Sequence, residues 1–187
     1  MVTKEEREAS TSAFMLWSYG EQFLNASKKL GTPHLPALYL ACHGIERAIK
    51  SHLRAKEYSL DALIGIRHSI AKALSHARDT GMRKPPVRIA AVLQFVEEIH
   101  RDHEYRYPHS LVRAIEVRYF LLAGAWALRA AAPAVSRSPA SVSLSVMRNR
   151  STELMQWAES QAPSRQQRQA IARMQKALAE WNERQTE

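Results

Sequence analysis

Apolar residues recur every three or four positions through the segment 36–56. Because an α-helix turns about 100° per residue, five of these residues fall within an arc of about 80° on one helix face. The five are Leu38, Cys42, Ile45, Ile49 and Leu53. No segment of the chain alternates apolar and polar residues in the manner of a half-buried strand. The sequence therefore predicts an all-α protein whose helices each turn an apolar face to a common core.

Further segments carry the same period or the residues that begin and end helices. A serine at position 59 can cap a short helical turn, and the prolines at 85 and 86 can begin a helix but not continue one. The predicted helices are a first one over 4–29, a third over "RHSIAKALSHARDTGM" that Gly81 stops, a fourth from Val87 to about Glu104, and an apolar central fifth from about Ser110. We expect an up-and-down bundle of about five helices.

The end of the chain predicts a separate helical extension. Residues 133–141, "PAVSRSPAS", are rich in proline and serine and indicate a linker. We therefore expect a bundle over 1–132, a linker over 133–141, and helices over 142–187 that pack on the bundle or on a partner. A heptad-like seam in the last helix requires such a surface, because a short amphipathic helix gains little stability alone. The seam consists of Ile171, Met174, Leu178 and Trp181.

Composition narrows the compartment and the partners. A single cysteine in 187 residues excludes an internal disulfide framework and suits a reducing compartment. The longest apolar stretch, 119–128, is shorter than the roughly 20 residues of a membrane span, and no secretory signal pattern opens the chain. We therefore expect a cytoplasmic protein with no membrane association. The net charge of +9 favours polyanionic partners such as RNA.

A basic stripe runs along the predicted second helix. Arg47, Lys50 and Arg54 repeat at spacings of three and four and so share one side of that helix. One interpretation is a nucleic-acid-binding edge that contacts phosphates. The other is a solvated helix face, which basic residues at this spacing also form.

Histidines near the end of the fourth helix suggest a metal centre at first sight. Glu97 and His100 have the Glu-x-x-His spacing of di-iron bundles, and His103 and Glu104 follow. Those bundles need a second such motif and two further glutamates, and this chain contains no second motif. We therefore predict no metal and no cofactor. In place of a metal centre, we expect His100 and His103 to point inward and to hydrogen-bond to the backbone.

The stretch "HEYRYPHSL", residues 103–111, contains the residue types for RNA cleavage without a metal. His109 could move the 2′-hydroxyl proton, and Arg106 could stabilise charge on the phosphate. The alternative is a helix junction in which Pro108 sets the turn and Ser110 or His109 caps the next helix. The chain has no Gly-x-Ser-x-Gly elbow, phosphate loop or Gly-x-Gly-x-x-Gly turn. Cys42 lies on the apolar stripe and is predicted to be a buried hydrophobe rather than a nucleophile.

The segment "ALYLACHGIERAIKSHLRAKEYSL" followed by "RHSIAKALSHARDTGM" resembles the HEPN superfamily over roughly residues 10–130. Glu46 and Lys50 match the glutamate and lysine of that family's second helix. Arg67 stands where the family's turn has glycine, directly before His68. The resemblance implies a small helical bundle, often dimeric, of a kind that binds or cuts RNA in toxin and phage-defence systems.

The resemblance does not extend to the nuclease motif. Catalytic HEPN proteins carry an arginine and a histidine with four to six residues between them. Seven residues separate Arg101 from His109, and two separate Arg106 from His109; Arg47 and His52 have the spacing but lie within one helix. We therefore expect a homodimeric binding or regulatory module with RNA as its partner. The alternatives are a divergent metal-independent ribonuclease and a protein-interaction module that uses the C-terminal helix.

Overall fold

The all-α prediction is confirmed. A computed structural model describes residues 11–31, 35–101, 116–138, 141–161 and 169. Across these residues the chain forms seven packed helices and no strand. The helices are α1 Ala13–Leu30, α2 Leu35–Ala55, α3 Leu60–Gly65, α4 Ile70–Asp79, α5 Val87–Arg101, α6 Val117–Val135 and α7 Leu144–Ser160.

Serine side chains begin four of the seven described helices. Each serine adopts an extended backbone conformation, and its hydroxyl accepts a hydrogen bond from the backbone N–H three residues later, which satisfies one of the donors that a helix start leaves unpaired. The four are Ser12, Ser59, Ser69 and Ser143. The predicted cap at Ser59 is confirmed. The first described helix begins at Ala13, directly after the extended backbone of Ser12. The start at residue 4 that the sequence predicts for the first helix lies outside the described residues.

The core lies between α1, α2 and α6. All five residues of the apolar stripe on α2 are buried, as predicted. α6 is buried on nearly every side, as a central helix must be. Across the core, the Trp17 indole N–H of α1 donates a hydrogen bond of 3.0 Å to the Leu128 carbonyl of α6. No described helix is long and apolar enough to cross a membrane.

Glycines allow α1, α2 and α6 to approach closely. A Cβ added to Gly44 on α2 would lie 2.6 Å from Leu24 Cγ and 3.0 Å from the Gly20 carbonyl oxygen of α1. A Cβ on Gly124 of α6 would also overlap the Leu24 side chain. The crossing of these helices therefore depends on positions without side chains, and it sets how far α2 stands from its neighbours.

α7 packs on the same core as the first six helices. It buries Met147, Leu154 and Ala158 in the common apolar cluster. An ion pair of 3.2 Å between Arg150 and Glu21 joins it to α1. α6 continues through Pro133 to Val135, so helical structure extends past residue 133, where the sequence predicts the linker to begin. The seam over 171–181 lies outside the described residues.

Candidate functional site

Three polar residues share one face of α2, beside the apolar stripe. His43, Glu46 and Lys50 follow one another at spacings of three and four, which place their side chains above one another on a helix. Glu46 and Lys50 are buried, with 5% and 9% of their surfaces exposed. Charged residues are rarely buried to this degree unless they are paired, so their partners define the site.

The turn between α3 and α4 is held in place from two sides. The Lys50 ammonium donates a hydrogen bond of 2.5 Å to the Arg67 carbonyl. On the other side, the Glu97 carboxylate of α5 accepts hydrogen bonds of 2.9 Å from the Ser69 hydroxyl and from the Ala71 N–H at the start of α4. His68 lies between these two anchors. Its ring is therefore presented to α2 by a fixed backbone.

Glu46 is the centre of the site. Its Oε1 accepts a hydrogen bond of 2.7 Å from Lys50 Nζ. Its Oε2 lies 2.8 Å from His100 Nε2 of α5, 3.0 Å from His68 Nδ1 and 3.8 Å from His43 Nδ1. One carboxylate therefore links α2, the α3–α4 turn and α5.

The partners of Glu46 keep it ionised despite its burial. Burial alone raises the pKa of a carboxyl, but the hydrogen bond from His100, the Lys50 charge and the hydrogen bond from His68 together hold the pKa of Glu46 well below its ordinary range. Burial, with the neighbouring His100, lowers the pKa of His43 to about 4. At neutral pH the site therefore contains a carboxylate beside a neutral His43 imidazole.

A cavity of about 400 Å³ opens beside this cluster. Glu46, Lys50 and His68 form part of its wall, and Arg47 and Arg67 line it as well. The remaining lining is largely apolar and comes from Leu16, Leu60, Leu63 and Ile64. The cavity therefore combines an apolar surface with an excess of positive charge.

The three residues of the predicted basic stripe have different surroundings. Arg47 is half-buried at the cavity. Lys50 is buried against Glu46 and the Arg67 carbonyl. Arg54 donates hydrogen bonds of 3.2 Å to the Thr11 carbonyl and 3.0 Å to the Tyr58 carbonyl. The structure thus gives Lys50 and Arg54 hydrogen-bond partners inside the protein, and both Arg47 and Lys50 line the cavity.

Other sequence-predicted residues are separated or lie outside the described residues. Glu97 and His100 of the Glu-x-x-His motif face different partners, since Glu97 caps α4 and His100 contacts Glu46. Cys42 is fully buried, as predicted, and burial raises the pKa of its thiol. Arg106 and His109, and with them His103 and Glu104, lie outside the described residues.

The convergence of His43, Glu46, His68 and His100 is not predicted from the sequence. Two signals were present: the three-residue spacing of His43 and Glu46, and the inward position of His100 on its helix, which the structure confirms by its complete burial. One nitrogen of each imidazole and one Glu46 oxygen all lie within 4.8 Å of one another. Such a donor set can hold hydrogen-bonded protons or a transition-metal ion.

Comparisons of the chain with protein-family models, with curated proteins and with solved structures gave no match. The functional interpretation therefore depends on the geometry of the cluster and of the cavity beside it.

Proposed function

We propose that this chain is an HEPN-like RNA-binding module whose phosphate contacts come from Arg47 and Arg67 at the mouth of the cavity. The main support for this proposal is that both arginines line the same cavity, whose remaining lining is largely apolar. Guanidinium groups bind phosphate oxygens in a bidentate manner, and an apolar surface can receive the face of an unstacked base. The net charge of +9 adds long-range attraction for a polyanion.

The backbone of Arg67 supports a role for its side chain. Its φ of 54° lies in the left-handed region, where glycine is free of strain and other residues are not. The HEPN turn that this segment resembles has glycine at the same place. Strained positions of this kind are concentrated at functional sites, because a side chain is needed there in spite of its conformational cost. Arg67 is exposed, so its guanidinium can reach a ligand in the cavity.

Lys50 and Arg54 have a supporting role in this proposal. Lys50 neutralises Glu46 and holds the Arg67 carbonyl, so it fixes the backbone from which the Arg67 side chain extends. Arg54 joins the end of α2 to the Thr11 and Tyr58 carbonyls. Of the three stripe residues that the sequence predicts as phosphate contacts, we therefore propose only Arg47. The second proposed contact is Arg67, from the α3–α4 turn.

The size of the cavity suits one nucleotide unit. Ligand sites commonly have volumes of roughly 300–1,000 Å³, and about 400 Å³ lies near the lower end of that range. Single-stranded RNA offers splayed bases that double-stranded RNA does not. We therefore propose single-stranded RNA as the ligand.

Fluorescence anisotropy with a labelled single-stranded RNA oligonucleotide, at low salt and in chelator, tests the proposal. The full chain should bind, and Arg47→Ala should weaken binding roughly tenfold, the equivalent of one charge-assisted hydrogen bond. Arg148→Ala is the matched control, because Arg148 is exposed on α7 and does not line the cavity. Absence of binding by the full chain, or equal loss in both variants, would contradict the proposal.

The same mixture separates binding from cleavage. RNA that stays intact during the titration is the result expected of a binding module. Cleavage in chelator that disappears in His109→Ala would instead support the metal-independent ribonuclease that the sequence offers as an alternative, with Arg106 and His109 as its catalytic pair.

A further inference from the structure

His43, Glu46, His68 and His100 come from three separate parts of the chain and meet around one carboxylate oxygen. His43 and Glu46 lie on α2, His68 on the α3–α4 turn and His100 near the end of α5. The three imidazole rings stand nearly edge to face, with centroids 4.8 Å apart for His43 and His100 and 5.3 Å apart for His68 and His100. We propose that these four residues form a binding site for one first-row transition-metal ion of the Zn²⁺ class.

The distances between the donor atoms fit a single ion. With bonds of about 2.0–2.1 Å, two ligand atoms on a tetrahedral zinc lie about 3.3–3.4 Å apart. The distances from Glu46 Oε2 to the facing nitrogens of His100, His68 and His43 are 2.8, 3.0 and 3.8 Å. These values lie on both sides of the tetrahedral spacing, and all four donor atoms lie within 4.8 Å of one another, so an ion would draw them together by side-chain rotation.

A network of hydrogen bonds alone leaves part of the cluster unexplained. The Nδ1 atom of His43 lies 3.8 Å from Glu46 Oε2, too far for a hydrogen bond, and its Nε2 atom is buried with no hydrogen-bond partner among the described residues. His43 is instead held by ring contacts, with Tyr39 at 4.3 Å and with His100. Burying the His100 imidazole, a carboxylate and an ammonium together is costly, and a bound ion is a common reason for such a cluster.

Lys50 has the position of an outer-sphere residue in this site. It binds Oε1 of Glu46 at 2.7 Å and so turns Oε2 toward the three imidazoles. Groups that orient a ligand in this way fix the coordination geometry without touching the metal. Glu46 and His68 also line the cavity, and the side chain of His68 is 41% exposed, which provides an entry path for the ion.

The chemical nature of the ligand atoms determines which metal ions the site can bind. Imidazole nitrogens suit Zn²⁺, Cu²⁺, Fe²⁺ and Ni²⁺, whereas Mg²⁺ and Ca²⁺ prefer oxygen ligands only. In the metal-free form the N–H groups of His68 and His100 can face Oε2; on binding, the ion takes their place and each ring carries its proton on its other nitrogen. No redox step is involved.

Titration of the chelator-treated, untagged full chain with Co²⁺, followed by displacement with Zn²⁺, tests the site. Tetrahedral Co²⁺ has visible absorption bands that report its coordination. We expect one Co²⁺ per chain, displaced by one Zn²⁺, and a higher Tm when Zn²⁺ is bound. His68→Ala should weaken binding by at least about tenfold. This variant should fold, because the His68 side chain is partly exposed.

Two further variants show whether a loss of Co²⁺ binding is specific to the proposed ligands. His43→Phe preserves the ring packing with Tyr39 but removes a donor, so it should also weaken Co²⁺ binding. His76→Gln alters an exposed histidine outside the cluster and should bind as the wild type does. The proposal is overturned if the wild type binds neither ion below the millimolar range, or if His68→Ala and His43→Phe bind Co²⁺ like the wild type. RNA binding is measured in chelator, so the outcome of the metal titration does not decide whether the chain binds RNA.

Discussion

His100 Nε2 lies 2.8 Å from Glu46 Oε2, although 54 positions separate the two residues in the chain. The contact joins α5 to α2 in the interior, and the Lys50 ammonium binds the other oxygen of the same carboxylate. Glu46 thus connects helices that are distant in sequence. Its charge has a structural role as well as a place at the proposed site.

Glu46→Gln should lower the free energy of unfolding by about 3–5 kcal/mol, because it leaves the buried Lys50 ammonium without its counter-charge. Urea denaturation of the metal-free protein measures the change. Glu159→Gln is the matched control, since Glu159 is exposed on α7 and should change stability by less than about 0.5 kcal/mol. Equal stability of the two variants would show that Glu46 is not a structural link.

Gly44→Ala should destabilise the protein by about 1–3 kcal/mol, because its Cβ would overlap Leu24 at the crossing of α1 and α2. Gly65→Ala makes the same chemical change in α3 with nothing within 4 Å of the new Cβ. It should leave stability unchanged or raise it by up to about 1 kcal/mol. Thermal unfolding of both variants checks the prediction, and a Gly44→Ala protein as stable as Gly65→Ala contradicts it.

Local sequence patterns are sufficient to predict which face of α2 is buried and where α3 begins. The apolar period on α2 predicts the buried faces of Leu38 and Ile49, and the serine at 59 predicts a helix start. Both depend on interactions within a few residues. The helical class of the protein follows from the same patterns.

The site depends on geometry that the sequence does not contain. His43 and His68 meet because Lys50 holds the Arg67 carbonyl and so fixes the turn that carries His68. Periodicity shows that His100 faces inward, but it does not show which helix His100 meets, since that depends on the crossing angle and register of packed helices. The four-residue cluster was therefore beyond the reach of pattern analysis.

The buried His52 of α2 should make the protein less stable in mild acid. Burial lowers the pKa of His52 in the folded state, so the unfolded chain, whose histidines titrate near 6.5, binds protons more readily. Stability should therefore fall as pH decreases from 7 to 5. His52→Leu should show a smaller fall than the wild type in urea denaturation, whereas His76→Gln, an exposed change, should follow the wild type. Identical pH profiles for His52→Leu and the wild type would refute this assignment.

Arg67→Gly should separate stability from binding. Glycine removes the left-handed strain at this position, which is worth about 1 kcal/mol or more, so the variant should be as stable as the wild type or more stable. Its affinity for single-stranded RNA should nevertheless fall, because a guanidinium is lost from the cavity. Thermal unfolding and anisotropy on the same sample provide both values. A variant with reduced stability, or with unchanged RNA affinity, contradicts the role given to Arg67.

The salt dependence of RNA binding measures whether Arg47 and Arg67 contact the phosphates of the RNA. For single-stranded RNA, each phosphate contact contributes about 0.7 to the slope of log Kd against log salt concentration. The double variant Arg47→Ala/Arg67→Gly should therefore have a slope smaller by about 1.4 than the wild type, whereas Arg148→Ala should keep the wild-type slope. A double variant that retains the full wild-type slope would show that RNA phosphates do not contact these two arginines and that the cavity is not the RNA-binding site.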